Sequence, residues 1–98
     1  MQILCINRMG MLFGYNKDYG KALEFFNKAL KIAKESNIQK RIPILLNNIA
    51  KTNMDQGNAH SSLKTYREIL EITTSNQNFA FTAVVLGTIA TYYATQGL

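Results

Sequence analysis

The sequence predicts an all-α chain in which helical hairpins stack side by side as a solenoid of five helices. Three observations indicate this fold class. The apolar pattern returns after about 40 residues, which we call the repeat length, so that Ile6, Leu46 and Leu86 hold the same position in successive repeats. Within each unit, apolar residues recur at spacings of three and four, which is the period of one helix face. No segment has the sequence signals of a strand, and 98 residues are enough for one small domain.

The first repeat, at about residues 3–42, is predicted to contain two helices. The first helix covers about residues 3–15 and carries an apolar face that includes Gly10 and Phe13. Asp18 is the predicted N-cap of the second helix, at about residues 19–36, because its side chain can accept from a free backbone N–H. Asn37 can adopt the left-handed conformation that ends a helix, so the second helix is expected to stop there.

The second repeat, at about residues 43–82, reproduces this pattern with helices at about 41–56 and 59–75. Pro43 is tolerated only in the first turn of a helix, so the first of these helices is expected to begin close to it. Asn58 is the predicted N-cap of the second. A partial third repeat, at about residues 83–98, supplies only a first helix, which extends over about 80–96.

The two full units resemble tetratricopeptide repeats. The residues that carry the resemblance are Gly10, Phe13, Asp18, Tyr19, Ala22, Leu23, Phe26, Ala29 and Leu30, then Leu46, Ile49, Ala50, Gly57, Leu63, Tyr66 and Leu70, then Leu86, Ile89, Ala90, Tyr93 and Gly97. The resemblance implies a right-handed solenoid of helical hairpins. In its packing logic, small residues such as Gly10 let paired helices approach, and Phe26 or Tyr66 fills the remaining space.

Two features depart from the usual unit. The repeat is longer than the usual one, at about 40 residues rather than about 34. The second repeat also has Ser62 where alanine is usual and Asn53 where an aromatic residue is usual. We expect these two residues to loosen the packing. The longer unit is similar to those of kinesin light chains, bacterial peptide-pheromone-sensing regulators, aspartate phosphatases that act on response regulators, and periplasmic sensor modules of some histidine kinases.

These host proteins share an architecture and differ in function. The resemblance therefore implies a protein- or peptide-binding scaffold module. The alternative is that the chain is a fragment of a bacterial signalling regulator: a peptide-sensing transcription factor, a response-regulator phosphatase or a sensor kinase. In such arrays the first helix of each repeat lines a concave groove where partners dock.

The repeat register selects the residues that face this groove. Its candidate binding residues are Asn7, Arg8, Met11, Asn47, Asn48, Lys51, Thr88 and Thr91, with Ile44, Met54 and Val84 beside them. Asparagine amides both donate and accept, which suits a peptide backbone. Arg8 and Lys51 could hold a carboxylate. The alternative interpretation is that these polar residues simply face solvent.

Composition gives little support to other functions. The net charge of +5 comes mostly from lysines interleaved with Glu24 and Glu35, which is typical of a solvated helix face, so no nucleic-acid binding is expected of this segment. One cysteine and one histidine far apart form neither a catalytic pair nor a metal site. We therefore expect no enzyme activity, no cofactor and no metal.

The lone Cys5 is expected to be a small buried residue, and the absence of an export signal predicts a cytoplasmic protein. The uncharged run from Phe79 to Ala94 is shorter than the roughly 20 residues of a spanning helix, so we expect a buried helix and no membrane partner. This last helix lacks a pairing helix. We expect an exposed apolar patch around Val85, Ile89 and Tyr92, covered by a second copy of the chain or by further repeats.

Overall fold

The computed structural model describes residues 2–96, which form five α-helices and one short 3₁₀ helix. The α-helices are α1 (Gln2–Tyr15), α2 (Tyr19–Glu35), α3 (Ile42–Asp55), α4 (Ala59–Ser75) and α5 (Phe79–Thr95), and the 3₁₀ helix spans Gln39–Arg41. None of the described residues lies in a strand. The all-α prediction is therefore confirmed, and each predicted helix boundary lies within one residue of the observed one.

Each helix packs against the next one along the chain, from α1 on α2 to α4 on α5. Of the first helices, α1 and α3 also approach each other directly, whereas α3 and α5 do not within the described residues. The resulting slab measures 40 × 34 × 17 Å. Helices α3 and α4 begin and end one repeat length after α1 and α2, so residues separated by this length lie at the same positions along their helices.

The same turn follows each of α1, α2, α3 and α4, and after α2 the 3₁₀ helix then leads into α3. The turn contains a residue with a left-handed backbone, with φ of 64° at Lys17, 58° at Asn37, 86° at Gly57 and 57° at Gln77. The next residue donates its N–H to a carbonyl five residues earlier at 2.8 Å, in the pairs Asp18–Phe13, Ile38–Ala33, Asn58–Asn53 and Asn78–Thr73. These bonds satisfy carbonyls that the helix ends leave free. The turns therefore recur after each half of the repeat length, although the side-chain pattern recurs only after the whole of it.

The starts of the helices follow the predicted capping chemistry with one exception. The Asp18 carboxylate accepts from the Lys21 N–H at 3.4 Å, as expected for an N-cap. Asn58 occupies the predicted N-cap position but makes no side-chain capping bond. Pro43 lies in the first turn of α3, directly after the 3₁₀ helix, where its missing N–H costs no helical hydrogen bond.

The helices of each repeat pack through a small residue set against an aromatic ring. A Cβ atom added at Gly10 would lie 2.7 Å from Cε1 of Phe26, so the backbone of α1 approaches this ring as predicted. The equivalent pair in the second repeat is Ala50 and Tyr66, both buried. Ser62 is fully buried beside them and donates to the Ala50 carbonyl at 2.7 Å. The expectation that Ser62 loosens the packing is therefore wrong, because its hydroxyl has a partner inside the core.

A first helix has two sides that pack against neighbouring helices, and within residues 2–96 both sides are covered at α3 alone. One side meets the preceding helix, and there Leu45 on α3 and Val85 on α5 are buried. The equivalent residue of α1 is Cys5, which is exposed because no described helix precedes α1. The expectation that Cys5 is buried is therefore wrong.

The other side of a first helix meets the second helix of its own repeat. Leu46 is 4% exposed there because α4 covers it, whereas the equivalent Leu86 is 51% exposed. Val85 is the one buried residue of α5 within the described part of the chain. The expectation that α5 is a buried helix is therefore wrong.

Helix α5 has the exposed apolar surface that the sequence predicts, but the predicted centre of this surface is wrong. Val85 is fully buried against α4, and Ile89 and Tyr92 are half-buried. The large apolar residues that α5 exposes are Phe79, Val84, Leu86 and Tyr93. Despite this apolar character, none of the helices within residues 2–96 has the combination of length and hydropathy that crossing a bilayer requires.

Candidate functional site: the groove along the first helices

A cleft between α1 and α3 brings together three of the eight predicted groove residues. Met11, Asn48 and Lys51 line this first cleft, which has a volume of about 180 Å³. Its other lining residues are Gly14, Tyr15, Phe26, Thr52 and Asp55. The cleft therefore combines one cation, one carboxylate and an amide with two aromatic rings.

A second cleft, of about 520 Å³, lies along α5 and contains Thr88 and Thr91. Met54, at the end of α3, contributes one wall. The remaining lining residues are Val84, Gly87, Tyr92 and Thr95. No charged side chain lines this cleft.

The two clefts occupy the same place in successive repeats. Five lining positions of the first recur in the second one repeat length later, as the pairs Gly14–Met54, Asn48–Thr88, Lys51–Thr91, Thr52–Tyr92 and Asp55–Thr95. Equivalent backbone positions therefore produce two clefts of different chemistry. The difference lies in the side chains, since the charged pair of the first cleft is replaced by two threonines in the second.

The threonines of the second cleft use their hydroxyl protons within α5. Thr88 Oγ1 donates to the Val84 carbonyl at 3.0 Å, and Thr91 Oγ1 donates to the Gly87 carbonyl at 2.9 Å. Such bonds to the preceding helical turn leave a threonine with less capacity to donate to a ligand. The second cleft therefore offers a ligand fewer hydrogen-bond donors than its threonines suggest.

Asn48, which lines the first cleft, is bonded to Asn7, which lines neither cleft. Asn48 Nδ2 on α3 donates to Asn7 Oδ1 on α1 at 2.8 Å. This bond joins the first helices of the two full repeats and stabilises their packing. Asn48 keeps its own Oδ1 as an acceptor for a ligand. Periodicity along one helix does not reveal a pair that bridges two helices.

The remaining predicted residues are placed differently. Arg8 is exposed on α1 and Asn47 is half-buried on α3, and neither lines the two clefts. Sequence reasoning missed Tyr15 and Asp55. The spacing of four residues that separates Met11 from Tyr15 and Lys51 from Asp55 could have located them, because residues four apart share a helix face.

A further apolar row runs across the first helices. Leu4, Ile44 and Val84 hold the same position in successive repeats and are 37%, 42% and 61% exposed. Val84 also lines the second cleft. An exposed apolar side chain therefore recurs at one position of every repeat.

Residues 5–36 match the family model of the tetratricopeptide repeat. This segment of the chain is therefore a tetratricopeptide repeat. The matched segment contains all but the first three residues of the α1–α2 hairpin, and α3 and α4 have the same bounds one repeat length later. Tetratricopeptide repeats generally mediate protein–protein interactions, and the fold is a non-catalytic scaffold. A comparison of the chain with curated proteins gave no match.

Proposed function

We propose that this chain binds a protein or peptide partner in the groove along α1, α3 and α5. The observation that carries the proposal is the pair of equivalent clefts, which gives the groove two places for side chains of a partner. A peptide that crosses successive first helices meets equivalent backbone positions twice. Binding of this kind requires no cofactor.

The exposed apolar row supports the same face as the binding surface. Leu4, Ile44 and Val84 offer apolar area to a partner, and protein interfaces derive much of their stability from burying such area. The second helices instead expose interleaved charges such as Lys28, Lys31 and Glu35, whose desolvation would oppose binding.

The test starts with peptides selected from a random library on the immobilised chain, followed by calorimetric titration of the best binder. Lys51→Ala removes the exposed cation of the first cleft. We expect binding to weaken by about 1.5–3 kcal/mol if the peptide pairs with it through a charged hydrogen bond. Lys31→Ala, an equally exposed substitution on α2, is the matched control and should leave the affinity unchanged.

Asn48→Ala should also weaken binding, but it removes the bond to Asn7 as well. Its urea unfolding curve must therefore be recorded beside its affinity. If the Lys51 and Lys31 variants bind the selected peptides equally well, the groove along the first helices is not the binding surface.

A further inference from the structure

Helix α5 has an apolar face that no other helix within residues 2–96 covers. We call it the open face of α5. Its residues are spaced alternately four and three apart, so they lie on one side of the helix: Phe79, Ala83, Leu86, Ala90 and Tyr93. All five are exposed. On α3 the equivalent face is buried against α4 through Leu46 and Ala50.

We infer that the open face of α5 binds the open face of a second copy of this chain, with the two α5 helices antiparallel and related by a two-fold axis. The inference goes beyond the proposed function and does not depend on it. The groove residues Val84, Thr88 and Thr91 lie on a different side of α5. The dimer therefore keeps the groove of each copy accessible.

The alternation of residue size makes the open face complementary to itself. Large residues hold every second position, and Ala83 and Ala90 lie between them. The antiparallel register that places Leu86 against Ala90 of the second copy also places Tyr93 against Ala83, because both pairs are centred on the same point of the helix. Each of these large side chains meets a small one, which lets the two helices approach closely.

The same combination of a small residue with a large one holds each full repeat together. Ala50, which is equivalent to Ala90, is buried in one core with the Tyr66 ring, and Gly10 lies against the Phe26 ring. The α5 helix of a second copy would therefore take the place that the second helix of the repeat occupies at α1 and α3.

The distribution of charge favours α5 as the surface of self-association. Each chain has a net charge of +5, so two copies repel each other overall. No charged residue follows Glu71, so two α5 helices meet without like charges between them. The uncovered side of α1 is less suited to this contact, because its exposed Leu12 lies one turn from the cation Arg8.

The area of the open face indicates a reversible dimer. A fully buried aromatic side chain removes about 150–250 Å² from water, and each copy contributes the partly exposed Phe79 and Tyr93 together with Leu86. Such an interface is small among specific complexes, so the dimer should dissociate on dilution. The two-fold contact uses the same face on both copies, so assembly stops at two chains.

Sedimentation velocity of the full chain over a range of concentrations tests the dimer. We expect a monomer at low concentration and a dimer at high concentration. Ala90→Lys places a charge in the open face and should keep the chain monomeric throughout. Thr88→Lys is the matched control, because it adds the same charge to an exposed position of α5 outside the open face, and it should leave dimerisation unchanged. Circular dichroism checks that both variants keep their helices.

Disulfide formation tests the register. With Cys5→Ser in every chain, a chain that carries Ala83→Cys is mixed with one that carries Tyr93→Cys in a glutathione redox buffer. The two chains should cross-link to each other, because the register places these positions opposite each other. Neither should cross-link to itself, because two copies of the same position then lie about 15 Å apart along the helix axis, beyond the reach of a disulfide.

A chain that stays monomeric at every concentration would overturn the inference, as would a dimer that survives Ala90→Lys. Loss of the dimer with Thr88→Lys as well would show that the open face is not the contact. Growth beyond two chains would indicate head-to-tail stacking instead. Cross-links between two copies of the Ala83→Cys chain would indicate a parallel pair and contradict the antiparallel arrangement.

Discussion

The two full repeats fill equivalent cores with different residues. The first uses Gly10, Ala22 and Phe26, and the second uses Ala50, Ser62 and Tyr66 at the equivalent positions. Each step from the first to the second adds one small group: a methyl, a hydroxyl and a second hydroxyl. The Ser62 hydroxyl is accommodated because the Ala50 carbonyl accepts from it at 2.7 Å.

This comparison shows that a repeat can change its core composition without changing its backbone. The first repeat relies on close approach of α1 to a phenyl ring, whereas the second adds a buried hydrogen bond. The two solutions should therefore respond differently to substitutions at equivalent positions.

The largest effect is expected from Phe26→Ala. The Phe26 ring is 3% exposed and contacts the backbone of α1, so its loss leaves a cavity and should cost about 3–5 kcal/mol of unfolding free energy. Urea denaturation followed by circular dichroism measures this. Tyr15→Ala, which removes a 75% exposed ring from the same cleft, should have little effect. A loss below about 1 kcal/mol for Phe26→Ala would show that the first repeat does not depend on this ring.

The next effect is expected from Gly10→Ala, which gives the first repeat the residue found at position 50. The new methyl would lie 2.7 Å from the buried Phe26 ring, and such overpacking costs about 1–3 kcal/mol, offset in part by the better helix propensity of alanine. Gly87→Ala is the control, because a Cβ atom there meets nothing within 4 Å. We expect it to stabilise the chain by about 0.5–1 kcal/mol. Equal effects of the two substitutions would contradict the close approach.

A smaller effect is expected from Ser62→Ala, which gives the second repeat the residue found at position 22. Alanine fits the site, so the loss is confined to the hydrogen bonds of the hydroxyl, with the Ala50 carbonyl and with the Tyr66 phenol. Each such bond is worth about 0.5–1.5 kcal/mol of unfolding free energy, which urea denaturation measures. The exposed Ser75→Ala on α4 serves as control. A stabilised Ser62→Ala variant would mean that the second repeat tolerates the hydroxyl rather than depending on it.

The smallest effect concerns the phenol that distinguishes Tyr66 from Phe26. Burial raises the pKa of Tyr66 above its ordinary value, a side-chain hydrogen bond with Ser62 opposes the rise, and the charge of Asp55 adds to it. The pKa of Tyr66 is higher in the folded chain than in the unfolded chain. The neutral phenol therefore contributes fully to the free energy of unfolding below a pH of about 10, and this contribution is lost as the pH rises through the folded pKa. Tyr66→Phe should reduce the alkaline loss of stability, whereas Tyr15→Phe should not. Identical pH profiles for these two variants would contradict this assignment.

Local patterns predict the helices well because their causes are local. A residue and its neighbours within one hairpin determine where α2 ends, at Asn37, and where α3 begins, near Pro43. The contact of Gly10 with Phe26 has the same local origin. The errors at Cys5 and Val85 have a different origin. Periodicity shows that a helix has an apolar face, but it does not show which neighbouring helix covers which side.

The candidate site is predictable to a similar degree and for similar reasons. The repeat register selects Met11, Lys51 and Thr91, which the structure places in the two clefts. It does not reveal that Asn7 and Asn48 bond to each other, because the offset between adjacent first helices depends on how the whole array packs. Whether these residues bind a partner stays a prediction.

The identical turns at Lys17, Asn37, Gly57 and Gln77 constrain how such a chain can grow by gene duplication. Inserting half a repeat, a single helix with its turn, would preserve the path of the backbone, because every turn has the same geometry. It would also exchange the roles of the helices that follow, because the second helix of each repeat would then take the place of a first helix along the groove. Inserting a whole repeat preserves both the path and the roles. Lengthening in whole hairpins is therefore the step that adds groove without rewriting the sequence that follows.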